Sequence, residues 1–271
     1  MVRFPHIPGT LTYAGAWLIP WRSVYRVRTR DTKLAFAAHR RDVIGRHIAK
    51  YGAHEPALTA WIAHRLANSP NGIVVDIGAN FGWHTIHAAR HAAVETVVAF
   101  EPDAFNAWLL DQNLSSNNID KVVVCACALG AHAGVATLSN YKPSNLGRHS
   151  LIANYGHGCK RVPVRDLDGA LDDIGLSDRR ILVLKIDVEG YEPAVIEGAS
   201  RALARTDAIA LEYSPSLSRD GGLSLSAMVE RLLGCGFRSF SLASDGSLAP
   251  LNLQGNRAPK EQIDVIWVRA A

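Results

Sequence analysis

Four acids hold equivalent places in this chain: Asp76, Glu101, Asp187 and Glu212 each stand at the end of a short apolar run. A carboxylate at the tip of a buried strand can accept hydrogen bonds from hydroxyls, take up a proton or attract a cation. Around the first lies VVDIGANFGWHTI, residues 74–86, in which Gly78 and Gly82 flank Asn80. Glycines at such a turn let the backbone reverse tightly and leave room for a ligand against the main chain. A dinucleotide loop would space its glycines as G-x-G-x-x-G and seat a pyrophosphate on the following helix. Here the spacing is G-x-N-x-G, and Asp76 stands two residues ahead of Gly78. That acid would repel a pyrophosphate and suit an ammonium or sulfonium group.

Glu101 ends the second run, where Rossmann-like sites use an acid to accept from both ribose hydroxyls. Pro102 then stops the strand, and Asp103 is placed to begin a helix. A nucleoside, a positive charge and no pyrophosphate together describe S-adenosylmethionine. Transfer of its methyl group is an in-line displacement, which needs an aligned nucleophile and a group to take the proton. Asp187 can be that base or a hydroxyl acceptor; it can equally cap the next helix or hold the cofactor. Glu189, two residues on, can hold the loop through backbone N–H groups or act directly. Asp187 and Glu212 could share a magnesium ion that orients a diol, but no third clustered acid is evident, so no metal is expected.

Among eleven histidines, His149 in the loop SNLGRHSL is the candidate base and His84, early in the helix after the glycine loop, could approach the cofactor. Arg148 could clamp an acidic substrate group. Lys185, inside an apolar run, should pair with an acid rather than act in catalysis.

The surrounding pattern says what positions these residues. Short apolar runs at 73–77, 96–100, 121–126, 181–186 and 208–211 alternate with helical stretches through Ala92, from Asp103 to Ser115, from Glu192 to Leu203 and from Ser224 to Leu233. Irregular and strand-like pieces lie near 135–138 and 161–164. RSFSLA and Ile263 to Val268 read as terminal strands, the last able to run antiparallel. Strands buried on both faces and separated by helices imply an α/β, Rossmann-like, mostly parallel doubly wound sheet with helices on both faces. Ahead of it, alternation at 23–29 and 33–38 predicts a hairpin, Asp42 caps a helix through Lys50, and a further helix covers 55–67. The expected organisation is an extension over 1–52, packed on a domain over 53–271.

The chain has 271 residues, 48% hydrophobic and 20% charged, which fits an ordinary globular protein. The apolar stretch from Leu11 to Trp21 is too short to span a bilayer and contains Pro20, and no cleavable leader pattern precedes it. Cys125, Cys127, Cys159 and Cys235 lack paired metal or redox spacing, so reduced thiols and a cytoplasmic location are expected. Residues 1–50 hold ten Lys/Arg against Asp31 and Asp42, although the whole chain is only +4. Such a flank attracts anions, a membrane surface or nucleic acid. Trp17 and Trp21 could mark a peripheral membrane contact; packing on the core is the expected alternative. No aromatic-interleaved RNA motif accompanies the charge, which disfavours a nucleic-acid or scaffold module. Oligomeric state stays open.

VVDIGANFGWHTI, AFEPDAFNAWLLDQN, ALGAHAGVATL and above all LKIDVEGYEPAVIEGA resemble the FkbM family of S-adenosylmethionine-dependent methyltransferases, over about residues 40–214. The resemblance implies a class I methyltransferase that O-methylates a hydroxyl of a sugar, polyketide or similar metabolite. It carries the cofactor loop onto Asp76, Gly78, Asn80 and Gly82, the ribose acid and its turn onto Glu101 and Pro102, and the motif bordering cofactor and substrate onto Asp187, Glu189 and Gly190. The stretch Phe81-Gly82-Trp83-His84 departs from the common pattern and should reshape the pocket near the methionine end. The Asn/Asp-Pro-Pro-Tyr signature of amino-group methyltransferases is replaced by IDVEGY, which favours oxygen over nitrogen or carbon.

Overall fold

A computed structural model describes residues 6–18, 23–142, 144–220, 224–255 and 258–270. Trp21, Pro20, Arg3 and Arg22 therefore lie outside the described residues.

The chain folds around one eight-stranded sheet in the order β12-β11-β13-β10-β9-β3-β4-β5. These strands are β3 (Gly72–Ile77), β4 (Val94–Phe100), β5 (Val122–Cys125), β9 (Ile181–Ile186), β10 (Ala208–Tyr213), β11 (Phe237–Leu242), β12 (Leu248–Pro250) and β13 (Ile263–Arg269). The five strands from β10 to β5 run parallel, and β13, β11 and β12 add antiparallel pairings. Every residue of β3 and β9 is buried, as near-continuous apolar runs require when both faces are covered.

Alternation along β3 feeds two cores. Ile73, Val75 and Ile77 pack with Leu167, Val195, Leu203 and Leu232 on one face. Val74 packs with Leu58, Trp61 and Ala88 on the other. The first face carries α6 (Leu167–Asp173), α7 (Glu192–Glu197), α8 (Ser200–Ala204), α9 (Pro215–Asp220) and α10 (Leu225–Gly234). The second carries α3 (Pro56–Ala67) and α4 (Trp83–Ala89). A small sheet of β6 (Ala128–Leu129), β8 (Cys159–Arg165) and β7 (Gly134–Ser139) fills the excursion between β5 and α6.

The crossover between outward-going β3-β4-β5 and returning β9-β10 opens at the tips of β3 and β9. Gly78 sits there at φ 76°, and a Cβ on it would lie 1.9 Å from the Asp187 carbonyl oxygen. Only glycine lets the two strand tips approach so closely.

The N-terminal segment docks on this domain. Strands β1 (Val24–Arg28) and β2 (Ala35–His39) pair antiparallel, and α1 (Ile7–Trp17) lies over β1 and α2 (Val43–Tyr51). Two asparagines of α5 (Ala104–Ser116) and its C-cap stand in for a neighbouring strand. Asn113 and Asn117 accept from the N–H groups of Ala37 and Ala35 at 2.6 and 2.9 Å, and their amides donate back to the carbonyls of the same residues at 3.1 and 2.7 Å. Phe36 joins Phe81, Trp83, Leu109 and Leu110 in a shared core.

Four differences from the sequence reading stand out. The helix expected over 192–203 breaks into α7 and α8, because Gly198 passes so near Gly130 that a Cβ would meet its carbonyl at 2.1 Å. The helix after the glycine loop stops at Ala89, capped by Arg90. Helices α1 and α6 had no periodic signal; α6 is started by Asp166, whose side chain accepts from Gly169 N–H at 2.8 Å. Trp17 does not pack on the core either: it is 46% exposed beneath the Arg40 guanidinium, 5.2 Å from its ring.

Candidate functional site

At the carboxyl ends of β3, β4, β9 and β10 lies a cavity of about 310 Å³. Strand β3 contributes Ile77, Gly78 and Asn80; β4 contributes Phe100, Glu101 and Pro102; β9 leads into Asp187, Val188 and Glu189; Glu212 comes from β10. Val43, Ile44 and His47 of α2, then His54 and Glu55, wall one side, and the loop Asn145–His149 covers another.

Glu101 is held by the turns it joins. Its Oε2 accepts from Asn80 N–H and its Oε1 from Asp103 N–H, both at 2.8 Å. The left-handed backbone of Asn80, φ 52°, aims that N–H at the carboxylate. Each oxygen keeps a further lone pair, so the group can still accept two donors from the cavity. Burial pushes its pKa up to about 7, against the lowering effect of the Asn80 hydrogen bond and the Lys185 and Lys160 charges. One turn into α5, Asn106 donates to Leu146 carbonyl at 3.0 Å while its buried Oδ1 has no partner and borders the cavity.

Opposite stands a cluster of three acids. One oxygen each of Asp187, Glu189 and Glu212 lies within 4.8 Å of the others. The third acid that sequence spacing did not reveal is Glu189, which its left-handed φ of 51° turns into the group. Hard oxygen donors in this number suit a magnesium-like cation. The cluster also has cationic neighbours of its own: Arg148 Nε is 3.3 Å from Glu189, and Lys185 Nζ is 3.5 Å from Asp187. Burial first, then the Asp187 charge, raises Glu189 to about 7 and Glu212 to about 10. Glu212 also accepts from Ser214 Oγ at 3.1 Å.

Several sequence expectations change here. Asp76 does not face the cavity. It is buried beneath the loop, accepting from Thr85 Oγ1 at 2.6 Å and paired with Lys185 at 3.3 Å. Its charge is therefore met within the protein, and the expectation that it draws a cationic ligand gives way to a positioning role. Lys185 does pair with acids, as its place in a buried strand demanded; burial disfavours its charge, but Asp76, Asp187 and Glu55 outweigh that and raise its pKa. Gly82 is likewise behind the wall, at φ 91°, where a Cβ would strike Leu110 Cδ1 at 2.3 Å.

The carboxylate that holds the turn after β9 is Glu192, not Glu189: its Oε1 accepts from Val188 and Gly190 N–H groups at 3.2 and 3.1 Å. His149 borders the cavity, but its Nδ1 accepts from Tyr141 N–H at 3.0 Å. The ring proton then sits on Nε2, 3.8 Å from Asp103, which leaves no lone pair for a substrate proton. Arg148, engaged with Glu189 and 5.2 Å over the Tyr141 ring, is committed within the protein rather than waiting for an acidic substrate.

His84, Phe81 and Trp83 do not line the cavity. Phe81 and Trp83 pack under the hairpin, and His84 Nε2 meets Glu55 Oε2 at 2.8 Å. Glu55, at φ 39°, also meets His54 Nε2 at 3.2 Å. Burial alone would raise its pKa, but hydrogen bonds from the two imidazoles hold it well below the usual carboxylate range. No spacing in the sequence links His84 to a glutamate 29 residues earlier; the one local signal is an acid set before Pro56 at a helix start.

Residues 76–239 match the sequence profile described as the methyltransferase FkbM domain. Methyltransferase 1 of Beauveria bassiana is 27% identical over 146 residues, which are 47% of this chain and 58% of that protein. Methyltransferase sdnD of Sordaria araneosa is 29% identical over 163 residues, 49% and 62% of the two chains. The chain thus spans about three-fifths of the length of these curated relatives. Among solved structures, an rRNA methylase from Streptococcus thermophilus superposes with a TM-score of 0.45 at 15% identity, over 79% of this chain and 95% of that one.

Proposed function

The chain belongs to the FkbM methyltransferase family, whose domain is S-adenosylmethionine-dependent, and from that premise we propose that this protein O-methylates a hydroxyl of a sugar, polyketide or similar small metabolite. The observation that carries the reading is the division of the cavity. Glu101 offers two open acceptor sites at one end, and the Asp187 cluster faces it from the other.

When bound, the cofactor supplies an electrophilic methyl on a sulfonium. Glu101 would take the ribose diol, and Asn80, Gly78 and Pro102 would form the wall beside the nucleoside. Asp187 is the base: its side chain is 34% exposed, so a proton taken from the acceptor hydroxyl can pass to water. Lys185 Nζ, 3.5 Å away, holds that carboxylate in place. Glu212 stands beside Asp187 in the cluster, and Arg148 holds Glu189 in place. Four unpaired thiols, at Cys125, Cys127, Cys159 and Cys235, support the cytoplasm as the place of work.

The test uses S-adenosylmethionine carrying a deuterated methyl and a panel of hydroxylated metabolites, read by mass spectrometry. Label is expected on oxygen. Asp187→Asn should lower turnover by about 10²–10⁴-fold while S-adenosylhomocysteine affinity stays within about threefold. Label on nitrogen or carbon refutes the acceptor class, and undiminished turnover refutes the base.

A further inference from the structure

Helix α1 turns two different faces outward and inward. Gly9, Tyr13 and Ala16 face the domain: Gly9 and Ala16 are buried, and a Cβ on Gly9 would meet Ala49 carbonyl oxygen of α2 at 2.4 Å. At about 100° per residue, Ile7, Leu11 and Leu18 fall within about 40° of one line on the opposite side. They are 66%, 68% and 83% exposed, and with Trp17 they make up half of the large hydrophobics found exposed among the described residues. An apolar row on a single helix is not the scatter of lone surface hydrophobics that most proteins carry.

Positive charge surrounds this row. Arg26 and Arg28 share a groove of about 400 Å³ with His6, Pro8, Gly9 and Thr12 on one flank of α1. On another, Arg40 lies over the Trp17 ring. Arg41, Arg46 and Lys50 of the adjoining segment are exposed as well, whereas Asp42 is buried in its helix cap and Asp31 sits out in the hairpin turn. Helix α1 contains no acid. Apolar side chains on a helix rimmed by arginines, one of them stacked on a tryptophan, match the boundary between anionic headgroups and acyl chains.

We propose that α1 is a peripheral docking face for an anionic phospholipid surface, with Ile7, Leu11, Trp17 and Leu18 entering the interface and Arg26, Arg28 and Arg40 meeting the headgroups. No helix among the described residues is long and apolar enough to cross a membrane, so the contact lies in the plane of one leaflet. Helix α2, on which α1 rests, also walls the main cavity through Val43, Ile44 and His47. Docking therefore sets the cavity one helix away from the lipid surface. The proposal stands independently of which acceptor is methylated.

Co-sedimentation of the full chain with vesicles tests it. At about 0.1 M salt, vesicles with about 30% phosphatidylserine should bind at least tenfold more tightly than pure phosphatidylcholine. The double substitution Leu11→Asp with Leu18→Asp, at two exposed positions, should lose at least tenfold in binding with melting temperature and S-adenosylhomocysteine affinity unchanged. Arg26→Glu with Arg28→Glu should abolish the preference for phosphatidylserine. Equal binding to both vesicles, or binding untouched by the leucine substitutions, overturns the proposal. So does tighter association with a short RNA that falls steeply with salt and ignores the leucines, since that would make the basic flank a nucleic-acid face.

Discussion

Replacing Glu101 by alanine should weaken cofactor binding and also free the two backbone N–H groups that it accepts. The carboxylate accepts two backbone N–H groups at 2.8 Å and has two acceptor sites left for a ribose diol. Hydrogen bonds to a charged group contribute about 1.5–3 kcal/mol each, so losing both costs about 3–6 kcal/mol. That is roughly a 10²–10⁴-fold rise in the Kd for S-adenosylhomocysteine. The acid also makes binding pH-dependent. In the free protein its pKa is about 7, and the diol prefers the ionised form. Affinity should therefore be flat above pH 7 and weaken by up to about tenfold per unit below it. Stability of the free chain runs the other way. Folding raises this pKa from 4.5 to about 7, so the stability it contributes is complete below 4.5 and is lost as pH climbs through 7. Isothermal titration across this range, on the native chain and on Glu101→Ala, reads both effects. A Kd within about threefold of native in the variant, or a native Kd with no pH dependence, refutes the assignment of the ribose to Glu101.

Gly78→Ala should lower the melting temperature and remove cofactor binding, because the left-handed backbone costs an alanine about 1–2 kcal/mol and its methyl would overlap the Asp187 carbonyl at 1.9 Å; thermal melts and titration check it, and a folded variant with native affinity refutes it. Chelation with EDTA should leave turnover unchanged, since Arg148 at 3.3 Å and Lys185 at 3.5 Å already supply positive charge to the acid cluster. Loss of activity restored by magnesium would instead make Asp187, Glu189 and Glu212 metal ligands.

The sheet was legible because burial on both faces leaves an unbroken apolar run. ILVLKI and GIVVDI could be read as central strands without any partner in view. Helix starts were legible where a short acid stands at the cap: Asp42 and Asp103 each accept a backbone N–H, as their positions predicted, and Ser224, read as the first residue of its helix, does the same as the cap of α10. What stayed hidden is whatever depends on two distant segments meeting. Asp76 and Lys185 are paired across neighbouring parallel strands, a register invisible in one dimension. Phe81 and Trp83 face the hairpin because Phe36 fills the space beside them, 5.1 Å between the Phe36 and Trp83 ring centres. Glu189 and Glu192 stand in the same motif, and spacing alone does not say which of them turns back to accept from the Val188 and Gly190 N–H groups.

The loop acid that first implied a cationic ligand thus acts at one remove. Asp76 holds Lys185, and Lys185 reaches the Gly78 carbonyl at 3.2 Å as well as Asp187. One ammonium therefore ties the floor of the cofactor loop to the residue assigned as base. The cavity itself is left rich in carboxyls whose pKa values burial has raised: Glu101 and Glu189 near 7 and Glu212 near 10. Such groups resist ionising together, and a cation placed among them lowers the cost for each. A cationic nucleoside in this cavity would meet acids on several walls rather than a single acid at the mouth of the turn. Lys185 is buried where an apolar residue would pack because it meets two acids there, Asp76 at 3.3 Å and Asp187 at 3.5 Å.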